Sequence, residues 1–254
     1  MPSILSARTI WIGLPAYNEE AAIPALFPRF KQVFPDKHAS YRIVLYNDGC
    51  SDRTVERTLD WRKELNVEVI GKTVNMGLGE GLRCLVAHVA DHGAENDVMF
   101  IMDCDDTHHP RQFPAMLEAL ERGHDVVIAS RYRRGSRIAG VAPHRQLLSL
   151  GAASLFKLLH RCRGVRDYTC GFRAYRASIL QAAFARYSER LISQKGFSCM
   201  VDILLKLRTL EPDPIMGEVP LVLRYDLKHG MSKMRAARTI VDTLVLMGRN
   251  LRGR

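Results

Sequence analysis

Two hydrophobic rhythms alternate along the chain. Short unbroken apolar runs (TIWIGLP, YRIVLYND, VEVIGKT, DVMFIMD, DVVIASR) are separated by longer stretches whose apolar residues recur at helical spacing (EEAAIPALFPRFKQVF, GLGEGLRCLVAHVADHG, QFPAMLEALERG). Runs without alternation suit strands covered on both faces. Strands alternating with helices at this pitch predict βαβ units around a mostly parallel sheet, an α/β fold. The second strand stops at DGCSDRT, where Ser51 or Asp52 offers a cap for a helix running through Trp61. Beyond Ser130 the rhythm changes. HRQLLSLGAASLFKLLHRCRG and GFSCMVDILLKLRTL read as helices, MGEVPLVLRYD as a strand, and AARTIVDTLVLMGRNLRGR as a closing helix with a basic tail.

The polar motifs fall at strand ends: Asn18-Glu19-Glu20, Asn47-Asp48, and Asp103 to Asp106. In open α/β sheets ligands bind outside the carboxyl ends of the strands, so these motifs should face one crevice. Asp103 and Asp105, two apart on an extended segment, point to the same side. Paired hard oxygens suit Mg²⁺ or Mn²⁺, although a solvated acidic loop has the same pattern. His108 and His109 are adjacent, so they point apart and lack the spacing of a zinc site.

With 254 residues, 47% of them hydrophobic and 25% charged, the chain can bury a substantial core, and no linker divides it. No window approaches the roughly 18 apolar residues of a membrane span, and the opening MPSILSARTIWIG reads as a first strand rather than a signal segment. Six scattered cysteines without a C-x-x-C pair predict reduced thiols in a cytoplasmic protein. Charge changes the picture more. Between Arg131 and Arg176 lie eleven Lys/Arg against a single acid, Asp167. Such a segment implies an anionic partner, or else a solvated basic face.

The motifs LPAYNEE, YNDGCSDRT, NMGLGEGLR, MDCDDTHHP, ASRYRRG, VRDYTCGFRAYR and HGMSK, in this order over about residues 8–240, resemble glycosyltransferase family 2. The likeness is closest to dolichyl-phosphate mannose synthases and related polyprenyl-phosphate glycosyltransferases. It implies a GT-A fold, a Rossmann-like single catalytic domain over 1–254. Residues 8–130 would form the nucleotide-sugar half, 131–240 the acceptor half, and 236–254 a terminal helix and tail. By motif, Pro15, Tyr17, Glu19 and Asp48 line the donor pocket, with Asp48 on the base. Asp103 lies near ribose and metal, Asp105 ligates the metal, and Thr107 occupies a second metal-contact position, where it is a poorer ligand than an amide or carboxylate. Asp106 takes the place of a variable residue and is expected to be a bystander. The usual D-D-G-S reads NDGC here, with Asn47 and Cys50 as the departures.

The resemblance also gives the basic segment a partner, a polyprenyl monophosphate. Ser130, Arg131 and Arg145 match acceptor-phosphate positions and Lys233 a phosphate-binding lysine, so Asp103, Asp105, Arg131 and Lys233 form the implied catalytic set. A phosphate acceptor is already anionic near neutral pH and attacks without a general base, whereas a sugar-hydroxyl acceptor needs one, for which Asp202 is the candidate. GDP-mannose is the first donor implied and UDP-glucose the second, with Mg²⁺ or Mn²⁺ as cofactor. The implied location is the cytoplasm or, peripherally, the cytoplasmic face of a membrane, reached by an anchoring subunit or through the helices Leu147–Leu159 and Ala236–Leu251. Transfer to a soluble acceptor, a non-enzymatic nucleic-acid-binding protein and an inactive nucleotide-sugar binder are the other readings. Nucleic acid leaves the acidic strand ends unexplained, and 7% aromatic residues offer no stacking motif.

Overall fold

The computed structural model describes residues 8–141 and 162–227. Nine strands are described: β1 (Ile10–Ala16), β2 (Tyr41–Asp48), β3 (Val67–Lys72), β4 (Val98–Ile101), β5 (Val126–Ser130), β6 (Arg137–Ala139), β7 (Arg173–Arg176), β8 (Met216–Pro220) and β9 (Val222–Arg224). The described helices are α1 (Ile23–Val33), α2 (Thr54–Asp60), α3 (Leu78–His92), α4 (Phe113–Glu121), α5 (Ala177–Tyr187) and α6 (Cys199–Leu207). Seven strands form one sheet in the order β3-β2-β1-β4-β7-β5-β8, and β6 pairs with β9 in a small second sheet. All pairings of the main sheet are parallel except those of β7, which runs antiparallel to both β4 and β5. The mostly parallel sheet expected from the apolar runs is therefore present, and their lack of alternation has its reason in burial. Every residue of β4 and β5 is buried.

The core draws on helices as well as strands. Phe30 of α1 and Phe34 just past its end meet Phe113 of α4 at ring-centroid distances of 6.3 and 6.2 Å, and Phe113 stacks on Phe100 of β4 at 4.1 Å. The first helix starts later than its apolar spacing predicts. The Glu19 and Glu20 amides are taken by the side chains of Thr54 and Asp52, which holds residues 19–22 in a turn, and Pro24 then suits the first helical turn.

Three elements escape the hydrophobic pattern: β6, β7 and α5. The run RAYR looks too polar for a central strand. Nevertheless Arg173 is fully buried, its guanidinium donating to the carbonyls of Cys170, Met200 and Tyr168 at 2.8, 2.7 and 2.8 Å. The run MGEVPLVLRYD, expected as one strand, breaks after Pro220, which has no N–H for a ladder. Beyond the break, Leu221 N–H donates to Ser130 O and the chain passes to the second sheet.

The expected helices at Leu147–Leu159 and Ala236–Leu251, along with Arg145 and Lys233, lie outside the described residues. Among those described, no helix is long and apolar enough to cross a membrane. All six cysteines are free thiols. Burial pushes Cys170 and Cys199 up to about 12, so both stay protonated and unreactive near neutral pH.

Candidate active site

The order β3-β2-β1-β4 places a topological switch point between β1 and β4. Because β1 to β5 and β8 all run the same way, Pro15, Asp48, Asp103 and Arg131 emerge at one sheet edge. The reversed strand β7 begins at that edge too, with Arg173 opposite Ile101.

The loops after β1 and β2 interlock there. Ser51 N–H donates to Asn18 Oδ1 at 2.8 Å, Glu20 N–H to Asp52 Oδ2 at 3.1 Å, and Arg53 N–H back to Glu20 Oε2 at 2.9 Å. The Asp52 carboxylate also accepts both Thr54 N–H and Thr54 O–H, yet the residue at the N-cap of α2 is Arg53 without a side-chain cap, so neither Ser51 nor Asp52 takes the expected cap position. Asn47 and Cys50, the departures from D-D-G-S, remain within this network. Asn47 Oδ1 accepts Cys50 N–H at 2.8 Å, and Cys50 Sγ receives Asn18 N–H at 3.3 Å.

Asp48 is buried, and its two oxygens accept the Met76 and Gly77 amides at 2.7 and 3.0 Å. These amides belong to the entrance of α3, where a carboxylate is favoured by the helix dipole. Gly77 has φ +93°, which a side chain would strain. The same carboxylate expected to meet the base thus also holds the entrance of α3 in place. Tyr17, Val74 and Met76 are among the exposed large apolar side chains.

The loop after β4 is held from several sides. Met102 N–H donates to Gly13 O, Arg224 N–H to Thr107 O, and His108 bridges to Leu223. The three aspartates differ. Asp103 keeps a partly open side chain, 30% exposed. Asp105 is buried, and its Oδ1 accepts Thr107 N–H and Thr107 O–H at 3.2 and 2.6 Å. Thr107, expected near the metal, thus spends its hydroxyl proton on orienting Asp105. Asp106 is not the bystander expected of a variable position. It is buried at φ +64° and forms a 2.9 Å ion pair with Arg29, fastening the loop to α1. His108 is buried against Phe172, and His109 accepts Arg111 N–H through Nδ1. Burial and the nearby Arg29 and Arg111 lower the His109 imidazole to about 4.

At the other end of the crevice, Arg131 is clamped rather than free. Its Nε and Nη2 donate to Asp167 Oδ2 and Oδ1 at 2.8 and 2.6 Å, and Nη2 also to Thr169 Oγ1 at 2.6 Å. Asp167 is fully buried and accepts the Arg131, Thr169 and Cys170 amides as well. Burial works to raise its carboxyl, but Arg131 and these amides outweigh burial and hold it below the usual carboxylate range. Glu218 extends the network by accepting the Arg166 and Asp167 amides at 2.6 and 2.7 Å. Ser130, matched to the acceptor phosphate in sequence, is buried with its hydroxyl accepting Tyr132 N–H, so it turns the chain instead of facing the crevice.

Among the described residues the basic segment divides accordingly. Arg131, Arg173 and Arg176 are spent internally, Arg176 on the His124 and Leu120 carbonyls. Arg133, Arg134, Arg137, Arg163 and Arg166 are exposed.

A model of glycosyl transferase family 2 matches residues 11–184. The chain belongs to that family. It is a glycosyltransferase, and its sheet is that of the GT-A fold. It is 30% identical over 230 residues to the undecaprenyl-phosphate mannosyltransferase of Micrococcus luteus, covering 87% of this chain and 85% of that one. To the dolichol-phosphate mannosyltransferase of Pyrococcus furiosus it is 29% identical over 194 residues, 76% of this chain. The chain spans about half the length of that relative, 51%. Among solved structures it is similar to glucosyl-3-phosphoglycerate synthase from Mycobacterium tuberculosis in complex with Mn²⁺, UDP-glucose and glycerol 3-phosphate. There the TM-score is 0.64 at 19% identity, covering 96% of this chain and 80% of that one, a likeness of fold.

Asp202 is the candidate base, and its surroundings bear on the type of acceptor. It is fully buried in the first turn of α6. Its Oδ2 accepts Ser193 N–H and O–H at 2.7 and 2.8 Å, and Oδ1 lies 2.9 Å from Lys206 Nζ. A carboxylate so engaged serves as an anchor. Asp202→Asn is accordingly expected to keep turnover within about fivefold, whereas loss of a general base typically costs 10²–10⁴-fold. Steady-state rates of the purified variant decide between these outcomes.

Proposed function

We propose that this chain moves a hexose from a nucleotide-sugar to a polyprenyl monophosphate, with inversion at the anomeric carbon. The relatives named for undecaprenyl- and dolichol-phosphate mannosyl transfer support the acceptor class and make mannose the first sugar to test. The observation that carries the reading is the engagement of Asp202 by Ser193 and Lys206. A hydroxyl acceptor needs a base, while a phosphate monoester is already largely anionic near neutral pH and attacks directly.

The crevice suits a divalent cation by its donor chemistry. Asp103 and Asp105 offer hard carboxylate oxygens at the switch point, and the Thr107 hydrogen bond holds Asp105 in one orientation. Among the described residues no group of three or more His, Cys, Asp and Glu is arranged as a metal site. Two carboxylates with substrate phosphates completing the shell is the usual arrangement for Mg²⁺-type ions. A cation bound there would neutralise charge building on the leaving nucleoside diphosphate. The protein's own part is positioning. Asp48 and the entrance of α3 shape the nucleotide wall, and Arg131, held by Asp167, presents its remaining guanidinium edge toward the acceptor phosphate. Arg145 and Lys233 are proposed to add cations on the acceptor and diphosphate sides. The exposed arginines of the 133–137 and 163–166 loops suit an anionic membrane surface, where a lipid acceptor resides.

The test is product formation from GDP-mannose and UDP-glucose with a polyprenyl phosphate and Mg²⁺ or Mn²⁺, followed by mass measurement. A lipid-phospho-hexose is expected. Transfer only to a soluble hydroxyl acceptor would refute the reading.

A further inference from the structure

The segment between the short helical turn at Ser188–Leu191 and α6, residues 193–197, is fastened at both ends of the donor crevice. At one end it lies on the entrance of α3. Gly79 N–H donates to Lys195 O at 3.0 Å, and the seat leaves no room for a side chain. A Cβ at Gly79 would stand 1.7 Å from Gln194 O, and one at Gly77 2.8 Å from Lys195 O. This is the same helix entrance whose Met76 and Gly77 amides Asp48 holds. At the other end the segment runs into α6, whose Met200 approaches Gly171, as Asp103 does. A Cβ at Gly171 would lie 3.3 Å from Met200 Cε and 3.4 Å from Asp103 Oδ1. The base of the segment is fixed by Asp202, which grips Ser193 through both N–H and O–H, and by Lys206, whose Nζ donates to Arg190 O. Residues 193–197 therefore form a strap from the Asp48 side of the crevice to the Asp103 side. Those two sides are two strand spacings apart, roughly 10 Å.

Lys195 is exposed where this strap meets the entrance of α3 and has no ion pair among the described residues. Its carbonyl and Cβ lie against the entrance of α3, the carbonyl 3.0 Å from Gly79 N–H and the Cβ 3.8 Å from where a Cβ at Gly77 would stand. A flexible ammonium in that position matches a diphosphate, which lysine meets as a mobile point charge. We infer that the strap is the outer wall of the donor pocket and that Lys195 gives its ammonium to the diphosphate of the bound nucleotide-sugar. The inference rests on the donor reading above and adds to it a residue outside the family motifs. In this arrangement Asp202 is a positioning residue for the wall, which accounts for a buried acid within reach of a glycosyl-transfer site that performs no proton transfer.

The test titrates GDP, GMP, UDP and UMP into wild-type protein, Lys195→Ala and Lys195→Arg by calorimetry, with and without Mn²⁺. Lys195→Ala is expected to weaken the diphosphate of the preferred base about five- to tenfold while leaving the monophosphate within about twofold. Lys195→Arg should recover most of the difference. Unchanged diphosphate affinity would overturn the inference, and so would equal loss for diphosphate and monophosphate, which marks a merely structural change. If wild-type protein binds none of these nucleotides, the donor reading itself falls, and the strap assignment with it.

Discussion

Asp105→Asn is expected to reduce sugar transfer by about a thousandfold or more, with a melting temperature close to that of the wild type. The asparagine keeps an oxygen for Thr107 N–H and O–H, so the loop after β4 retains its shape. What it loses is a full negative charge at the switch point. Preorganised electrostatic groups at a reacting centre each contribute about 10²–10³-fold, and a weakened hold on the cation adds to that loss. The readout is product release at saturating donor, together with nucleotide binding in Mn²⁺ and in EDTA. The variant should bind nucleotide equally in both. Wild-type turnover in this variant would refute the proposed metal role of Asp105 and leave the acidic loop a structural feature.

The second large effect is expected at the Arg131–Asp167 pair. Arg131→Ala leaves the fully buried Asp167 without its cation, although three backbone amides still face it. Breaking a buried pair from one side costs ~3 kcal/mol or more, a fall in melting temperature of roughly 6–12 °C for a chain of this size. Acceptor use should fall far more than donor binding. Equal loss of both would count against a role at the acceptor. The pair also sets a pH dependence. Asp167 has its folded pKa depressed, so its stabilisation is complete above the ordinary carboxylate value of about 4 and is lost as pH falls toward the lower folded value. The pair should therefore leave denaturant midpoints level from pH 6 to about 4 and lower them below that for the wild type, with a smaller drop for Arg131→Ala.

This pair shows where reading the chain by composition succeeds and where it stops. Eleven cations against one acid correctly mark an unusual segment. Linear order does not show that the single acid is buried against Arg131, nor that Arg173 is the largest fully buried side chain among the described residues. Such arginines count as surface charge in any tally, yet their partners are carbonyls and a carboxylate distant in sequence. The same blindness hid β7. A strand whose first residue is a buried arginine has no apolar signature, and it is inserted between β4 and β5 only by the fold.

The loop MDCDDTHHP makes the same division within nine residues. Its place after a buried strand, and the two-residue spacing of Asp103 and Asp105, were legible because strand ends and side-chain alternation are local properties. The roles of Asp106 and Thr107 were not, nor, outside the loop, was that of Asp202. An ion pair to Arg29, a hydroxyl turned onto Asp105 and a grip on Ser193 depend on which distant elements pack nearby.

By itself, then, the sequence determined the α/β alternation, the position of the acidic strand ends and membership of a glycosyltransferase family, since periodicity and motif order are written in the chain. Only the tertiary structure decided which charges face the crevice and which are consumed inside. Burial and pairing arise from contacts between segments far apart in sequence, and a charge keeps its reach toward a ligand only if no nearer partner has already neutralised it.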